Sequence, residues 1–545
     1  MSKVIIIGGG IAGLSAGIFC AKAGYETEIY EKNLIPGGSC SAWKRGPYTI
    51  DNCIHWMTGT LENTPQYDLW EEVGGLGKDI KLFKRESFYS SELNGQTITL
   101  WRDVERTRKE MLELSPEDEK EINRFINTIK LGMKIQYPKE TPWKKENAFK
   151  GSNLYVSYPE LVKTMVEYIG INLDQLSKKF KHPLLQHVIS DFMNKDYESY
   201  WLILAYSIFA CGNGEIPEGG SLGLVKNMVK TYKEAGGKLF LGKPVMKVLL
   251  SKKRFSIDKE IFDPKTINFS RMAKVISKDA EAIKLADGKV IPADYIVCAC
   301  DVNYLFGHLL KKRFMPKQLR NIQKKEKKYP VWSSFQVAFS LEGEMPEVDQ
   351  QTFSCKALLV GLEEVNRICL KNYRIYGDFI APKGQTVLQV SILQKSEDFS
   401  YWKKLHNLNL DLYEITKKNI ADEILDRIES RYPEYKGKIH ILDIWTPFTY
   451  YQRNNSYKGA YMRSITTITS KEAFIPCDIK KLRNVFLASH WLRYPGGIPT
   501  AVTIGKVAAS RIINMDKKND FHFLDIKKHQ EDRSEEIVDK NESAK

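Results

Sequence analysis

The sequence predicts an α/β fold: a parallel sheet wound with helices, into which a second, α+β domain of antiparallel sheet plus helices is inserted. Three observations predict it. Residues 3–31 read as strand, glycine-rich turn, helix and strand. Patterning of the same kind returns at residues 214–301 and 481–514. The stretches in between, 61–213 and 302–480, are patterned instead as helices and as alternating strands with one long helix.

The opening run Lys3-Val4-Ile5-Ile6-Ile7 is β-branched and apolar, the kind of strand buried on both faces of a parallel sheet. It leads straight into Gly8-Gly9-Gly10-Ile11-Ala12-Gly13, a Gly-x-Gly-x-x-Gly between a strand and a helix. In that context Gly8 permits the tight turn, and Gly10 lets a pyrophosphate meet bare backbone. Gly13, with Gly17, lets the helix lie close on the sheet. The phosphates then sit on the helix N-terminus beside Ile11 and Ala12, where unpaired N–H groups and the dipole favour negative charge. Ile11, Leu14, Ile18 and Ala21 recur at helical spacing, and Gly24 suits a C-terminal cap. Residues 27–30 lead to Glu31, 18 residues past Gly13 and placed to accept hydrogen bonds from ribose hydroxyls. This is a dinucleotide-binding unit. Residues 1–60, 214–301 and 481–514 are accordingly assigned to a discontinuous cofactor domain, 61–213 and 302–480 to a substrate domain, and 515–545 to a charged tail.

At 545 residues the chain is long for one core, and 43% hydrophobic with 27% charged is the balance of a soluble globular protein. The longest apolar stretch, 200–211, is too short to span a membrane and reads as a buried helix or tunnel wall. With the fingerprint starting at residue 3, no signal peptide is expected. The nine cysteines lack metal-ligand spacing or an even disulfide framework, so no metal is expected and a reducing cytoplasm is the expected setting. Cys298 and Cys300, two apart on one strand, read as core. The net charge of +15 is densest at 311–328, on an expected helix carrying Leu319 and Ile322. Such a face can lie peripherally on the inner, anionic surface of a membrane, and a solvated lysine face accounts for the same residues. No interleaved aromatic and basic platform stands out, so nucleic acid is not an expected partner.

In chain order, Pro36-Gly37-Gly38-Ser39 is a turn whose glycines let backbone approach the cofactor a second time. Helices are expected at 119–129, opened by Pro116-Glu117-Asp118, and around 161–169. Gly219-Gly220-Ser221-Leu222 starts a helix that buries Leu224, Val225, Met228 and Val229 and stops at Gly236-Gly237. Strands follow at 238–241 and 245–250, then a charged stretch at 251–267 and a hairpin turning at Asp287-Gly288. Residues 295–300 read as another buried strand. In the second inserted stretch, 331–341 alternates with strand period, 373–379 and 386–392 read as strands, and 410–431 as a long helix. Their sheet is expected to be antiparallel and to floor a large apolar cavity. Residues 485–488 form a last strand, and a helix over 500–513 follows Gly496-Gly497-Ile498-Pro499, with Pro499 suited to its first turn. The tail is dense in mixed charge, poor in apolar residues, and predicted to be disordered.

These segments carry a set of motifs: the glycine fingerprint with Glu31, Pro36-Gly37-Gly38-Ser39, Tyr48-x-x-Asp51-x-x-Ile54-His55, Pro217-Glu-Gly219-Gly220-Ser221-Leu222, Asp443-Ile-Trp-Thr446-Pro447-x-Thr449, and His490-Trp491 before Pro495-Gly496-Gly497-Ile498-Pro499. Together they make the chain resemble the phytoene desaturase family of FAD-dependent oxidoreductases, and within it the carotenoid isomerase and retinol saturase branch, over all but the tail. The resemblance implies a Rossmann-type FAD-binding domain of the glutathione reductase/amine oxidase type. It implies FAD rather than NAD, held by Gly8, Gly10, Ile11, Ala12, Gly13, Glu31, Lys32, Gly37, Gly38 and Ser39. The Val245 strand would pass the adenine, and Gly496, Gly497, Ile498 and Thr500 the isoalloxazine. Two positions depart from relatives of this fold. Ser39 stands where desaturases and amine oxidases usually have arginine, and Ala488-Ser489 where many flavoproteins have Gly-Asp, so backbone N–H groups would replace a carboxylate.

The activity implied is hydride transfer at flavin N5 that saturates or desaturates a carbon–carbon bond in a hydrophobic isoprenoid, carotenoid-like, steroid-like or long-chain unsaturated substrate. His55 and His490 are the candidates for the accompanying proton. Trp56, Trp491, Arg493 and Tyr494 are the candidates for substrate contact. A flavin-dependent cis-trans isomerase of a polyene is a second reading. A non-catalytic lipid or prenyl carrier on the same fold is a third, opposed by the intact fingerprint and Glu31. Ser39 and the C-terminal loop disfavour an amine oxidase. No second Gly-x-Gly-x-x-Gly marks a nicotinamide domain, so the electron partner is unassigned.

Overall fold

The computed structural model of the protein describes residues 2–134, 159–251, 279–470 and 474–515. The charged stretch expected after 251 and the tail expected after 515 lie outside the described residues. The Lys3–Ile7 run is buried as its composition requires and forms the middle of a five-stranded, all-parallel sheet. Its order is Lys238–Phe240, Glu26–Tyr30, Lys3–Ile7, Tyr295–Cys298, Val485–Leu487. Strands distant in sequence are thus assembled round the first one. The first helix, Ile11–Lys22, packs on the last, Gly497–Met515, so closely that a Cβ on Gly505 would stand 2.5 Å from the Ala12 carbonyl oxygen. The Ser15 hydroxyl donates to the Val502 carbonyl across this contact.

A second sheet has seven strands, in the order Ile439–Trp445, Ser333–Leu341, Thr386–Gln394, Glu363–Asn372, Gln350–Val360, Ser87–Leu93, Gln96–Trp101. It is antiparallel throughout except where Gln350–Val360 meets Ser87–Leu93. One face carries Phe335, Val337 and Phe339 against Trp402 and Ile424, from the helices Ser396–Leu408 and Leu410–Arg431. The alternating polar residues Ser334 and Gln336 point the other way and are buried too. That face is the wall of a cavity. No helix among the described residues is long and apolar enough to cross a membrane.

Several elements differ from the sequence reading. Residues 61–213 hold more than helices: Ser87–Leu93 and Gln96–Trp101 are a hairpin whose turn residues Asn94 and Gly95 have φ of 52° and 81°. Leu93-Asn94-Gly95-Gln96 is the Asn-Gly hairpin signal between two strands. Residues 373–379 form no strand; Arg374–Tyr376 is a short 3-10 turn, and the strand lies upstream at Glu363–Asn372. The strand at 295 ends at Cys298, so Cys300 lies beyond it at the cavity. The basic stretch at 311–328 is not one helix, because Pro316 breaks it into a 3-10 turn, Lys312–Phe314, and a short helix, Lys317–Lys324.

A buried clamp joins the hairpin Ala42–Arg45/Tyr48–Asp51 to the helix Gly220–Glu234. The Asp51 carboxylate accepts hydrogen bonds from the backbone N–H of Cys53 (3.0 Å), Ile54 (3.1 Å) and Ser221 (2.7 Å), and from the Ser221 hydroxyl (2.5 Å). Gly220 makes room for it: at φ 53° its Cβ would stand 2.3 Å from Asp51 Oδ2. Asp51→Ala leaves the N–H groups of Ser221 and Cys53 without their acceptor, while that of Ile54 keeps the Ser221 hydroxyl at 3.1 Å, and we expect it to lower the unfolding free energy in a urea titration by roughly 2 kcal/mol or more.

Candidate active site

The loops that follow the parallel strands converge on one cavity. Two of the fingerprint glycines are demanded by the protein itself. Gly8 has φ +107° and a Cβ there would meet the Ala299 carbonyl oxygen at 2.9 Å. A Cβ on Gly13 would stand 2.0 Å from the Gly8 carbonyl oxygen. Gly10 is different. Its φ is −76°, open to any residue, and a Cβ would find its nearest atom, the Gly37 carbonyl oxygen, at an ordinary 3.7 Å. Nothing in the fold requires glycine there, so the bare backbone of Gly10 fits a ligand rather than a packing need. The Pro36-Gly37-Gly38 turn closes beside it, with the Gly37 N–H donating to the Gly9 carbonyl at 2.8 Å. Gly37 and Gly38 have φ of 111° and 60°, and Gly496 and Gly497, at the start of the last helix, have 90° and 75°.

Glu31 holds the cradle together from below. Its Oε2 accepts the Gly9 N–H at 2.7 Å and its Oε1 the Asn33 N–H at 2.9 Å, which leaves one lone pair on each oxygen for a further donor. Lys32 turns its ammonium to the Gln452 carbonyl at 3.0 Å, and the Ser39 hydroxyl accepts from Asn454 at 3.3 Å. Asn454 lies on the helix Pro447–Asn454, which Thr446 caps through a box with Thr449. Upstream in the same motif Asp443 binds the Trp43 indole (2.7 Å) and Arg45 (2.5 Å), and Trp445 donates to Asn52 (3.0 Å). The Asp443-to-Thr449 motif therefore fastens the antiparallel sheet to the loops of the cradle.

The cavity has a volume of about 3650 Å³, several times the roughly 300–1,000 Å³ of a single small-molecule site. Gly8, Gly10, Ile11, Ala12 and Glu31 line one region of it, with Lys32, Gly37, Gly38, Ser39 and Val245. Gly496, Gly497, Ile498 and Thr500 line it too. Gly13 does not; its work is the helix-to-strand contact. Of the candidate substrate residues, Trp56, Arg493 and Tyr494 line the cavity. Trp491 is corrected: it is 1% exposed, edge-on to Tyr457 in the core of the parallel sheet, because its short 3-10 turn faces inward. Arg493 donates to the carbonyls of Ile475 and Leu492, and Arg463 stacks 3.5 Å over the Tyr494 ring.

His55 and His490 both reach the cavity, and neither is an acid at neutral pH. Burial, then the charges of Lys371 and Arg85, hold His55 well below the ordinary imidazole value. Burial and Arg463 bring His490 down to about 4. Lys371 Nζ lies 2.6 Å from His55 Nδ1 and donates to the Tyr376 hydroxyl at 2.7 Å. In its charged form Lys371 has no lone pair, so toward it Nδ1 accepts and the proton of neutral His55 sits on Nε2. With that tautomer His55 is a hydrogen-bond donor to the cavity. Sequence reading missed Lys371, Tyr376, Gln336 and Gln389. The available signal was a lysine in phase with Cys369, on the opposite face from Ile368 and Leu370.

Two buried polar atoms at the cavity edge, His490 Nε2 and Asn454 Oδ1, have no protein partner among the described residues. With the bare Gly10 backbone they fit a large polar cofactor. The family described as "Flavin containing amine oxidoreductase" matches residues 11–513. The chain is 22% identical over 486 residues to the chloroplastic prolycopene isomerase of Daucus carota, spanning 84% of this chain and 71% of that protein. It is 22% identical over 538 residues to the neurosporene-forming phytoene desaturase of Rhodobacter capsulatus, spanning 94% of each. Among solved structures, a redesigned triple mutant of putrescine oxidase superposes with a TM-score of 0.57 at 13% identity, over 94% of this chain and 99% of that one. It shares the fold.

Two outcomes follow from this geometry. Gly10→Ala keeps the urea stability of the cofactor-free protein within about 1 kcal/mol but weakens retention of the dinucleotide at least tenfold, whereas Gly13→Ala loses stability first. His490, depressed in the folded state, contributes stability that is fully present above the unfolded value near 6.5 and lost as pH falls through about 4. Replacing it by Gln should make the loss of unfolding free energy between pH 7 and pH 4 smaller by roughly 3 kcal/mol.

Proposed function

The chain belongs to the flavin-containing amine oxidoreductase family, an FAD-dependent oxidoreductase by that membership, and from this premise we propose that it desaturates or saturates a carbon–carbon bond in a long, apolar, unsaturated substrate of isoprenoid, carotenoid-like or steroid-like class. One observation supports the reading above the rest: the glycine cradle and a wall of aromatic rings, Trp56, Phe88, Tyr89, Trp201 and Trp332, belong to a single cavity. A dinucleotide and an extended apolar molecule fit end to end in such a volume.

FAD, when bound, supplies the two-electron chemistry. The protein's share is positioning and exclusion of water. Gly10 and the N-terminus of Ile11–Lys22 suit the pyrophosphate, and Glu31 retains lone pairs for the ribose. The aromatic wall removes the substrate chain from water, where each buried methylene contributes about 0.8 kcal/mol. His55 presents Nε2–H, fixed by Lys371, as a donor that steadies negative charge without delivering a proton. Cis-trans isomerisation of a polyene is the second reading. It is supported by the likeness to the chloroplastic prolycopene isomerase of Daucus carota.

The purified protein is expected to be yellow, with flavin bands that anaerobic dithionite bleaches. Reoxidation of the bleached enzyme by one class of unsaturated lipid would give substrate and direction together, and cis-trans conversion without net reoxidation would select the isomerase. A colourless protein that takes up no added FAD would overturn the proposal.

A further inference from the structure

Several charged side chains in and around the cavity wall form ion pairs. Arg367 binds Asp191 at 2.5 Å, Arg102 binds Glu215 at 2.8 Å, and Lys506 binds Glu72. Arg85 and Lys371, 4% and 5% exposed, both line the cavity and make no ion pair among the described residues. The acids nearest to them are already engaged. Asp51 is taken up by Ser221, Cys53 and Ile54, Asp349 by Arg374 and Ser87, and Glu215 by Arg102.

Their donors are under-used. Arg85 has one long bond to the Phe88 carbonyl, at 3.5 Å, and its buried Nε has no acceptor. Lys371 spends two of its three N–H groups on His55 and Tyr376. Burial first, and then the neighbouring charge of Arg85, hold Lys371 well below the ordinary lysine value. Two neighbouring positive charges held out of water with no counter-ion are costly unless an anion joins them.

The anion is not the pyrophosphate, whose cradle is built by the fingerprint loop and the Gly37-Gly38 turn. The surroundings of this patch are apolar. Trp56 follows His55 in the chain and meets Phe88 edge-on at 5.8 Å, and Phe209 lies 5.3 Å beneath the Arg85 guanidinium. A patch of two cations among aromatic rings suits one negative group on an apolar body. We propose that Lys371 and Arg85 receive a carboxylate carried by the substrate, so that the enzyme acts on an unsaturated long-chain acid rather than on a hydrocarbon. This inference rests on the reading of an apolar unsaturated substrate and specifies its polar end. Lys371 then has two tasks, fixing the His55 tautomer and anchoring the substrate beside it.

The test compares three ligands of equal length on the FAD-loaded protein: a twenty-carbon polyenoic acid, the corresponding alcohol and the corresponding hydrocarbon, titrated by quenching of tryptophan fluorescence. The acid is expected to bind at least about tenfold more tightly than the alcohol, as charge-assisted bonds imply. Lys371→Met and Arg85→Met should each abolish that preference while alcohol affinity stays within about threefold and the flavin spectrum is unchanged, and Lys371→Arg should retain it. Equal binding of acid and alcohol by the unaltered protein overturns the carboxylate site and leaves the apolar-substrate reading standing. A failure of all three ligands to bind overturns both. Acetate competing as well as the long acid would also overturn it, because the site would then read the anion without the chain.

Discussion

Four hydrogen bonds on one carboxylate hold the site in register. Asp51 ends the Tyr48–Asp51 strand and is sealed from water, and its oxygens take up donors from its own turn and from the start of Gly220–Glu234. Burial pushes its pKa up while these donors hold it back. Two motifs far apart in the chain, one ending in His55 and one containing Ser221, are thereby a single structural unit. The turn that Asp51 closes carries Asn52 toward Trp445 and Tyr450, and His55 toward Lys371. Without the clamp none of these groups has a fixed place relative to the cradle.

The cavity that results is chemically divided. The fingerprint loop, the Gly37-Gly38 turn and the N-terminus of the last helix offer backbone N–H groups and open space. The antiparallel sheet offers Gln336, Gln389 and Lys371 on the face opposite its apolar core. Tyr373 donates to Gln389, Gln389 to Gln336, and Gln336 to Tyr450 at 2.7 Å, a chain of buried polar groups satisfied within itself. Beyond it the wall is aromatic. Such a site can hold a substrate that is mostly apolar and yet read one polar feature of it.

The local units were legible because their signals are local. A β-branched run, a glycine turn and a helix with 3.6-residue periodicity fix Lys3–Ile7 and Ile11–Lys22 within twenty residues, and the strand that leads to Glu31 follows from the same unit. Leu410–Arg431 and Val245–Leu250 were read with the same bounds that the structure shows. The seven-stranded sheet was harder. Its Ser87–Leu93 and Gln96–Trp101 strands join Gln350–Val360 through a parallel pairing across more than two hundred residues, and no periodicity reports such a partner. At Trp491 aromatic character beside a cofactor loop suggested substrate contact, and the turn that carries it decided for the core instead.

By itself the sequence determined the dinucleotide cradle, because glycine positions, strand and helix are dictated by steric freedom and periodicity that need no distant partner. Tertiary structure alone decided which of those glycines serve the fold and which leave room for a ligand, since that depends on what stands opposite each Cα: the Gly8 carbonyl for Gly13, open space for Gly10. It alone brought Lys371 to His55 across 316 residues and left it, with Arg85, without an ion pair among the described residues. Charge balance inside a protein is a property of three-dimensional neighbours, and no reading along the chain contains it.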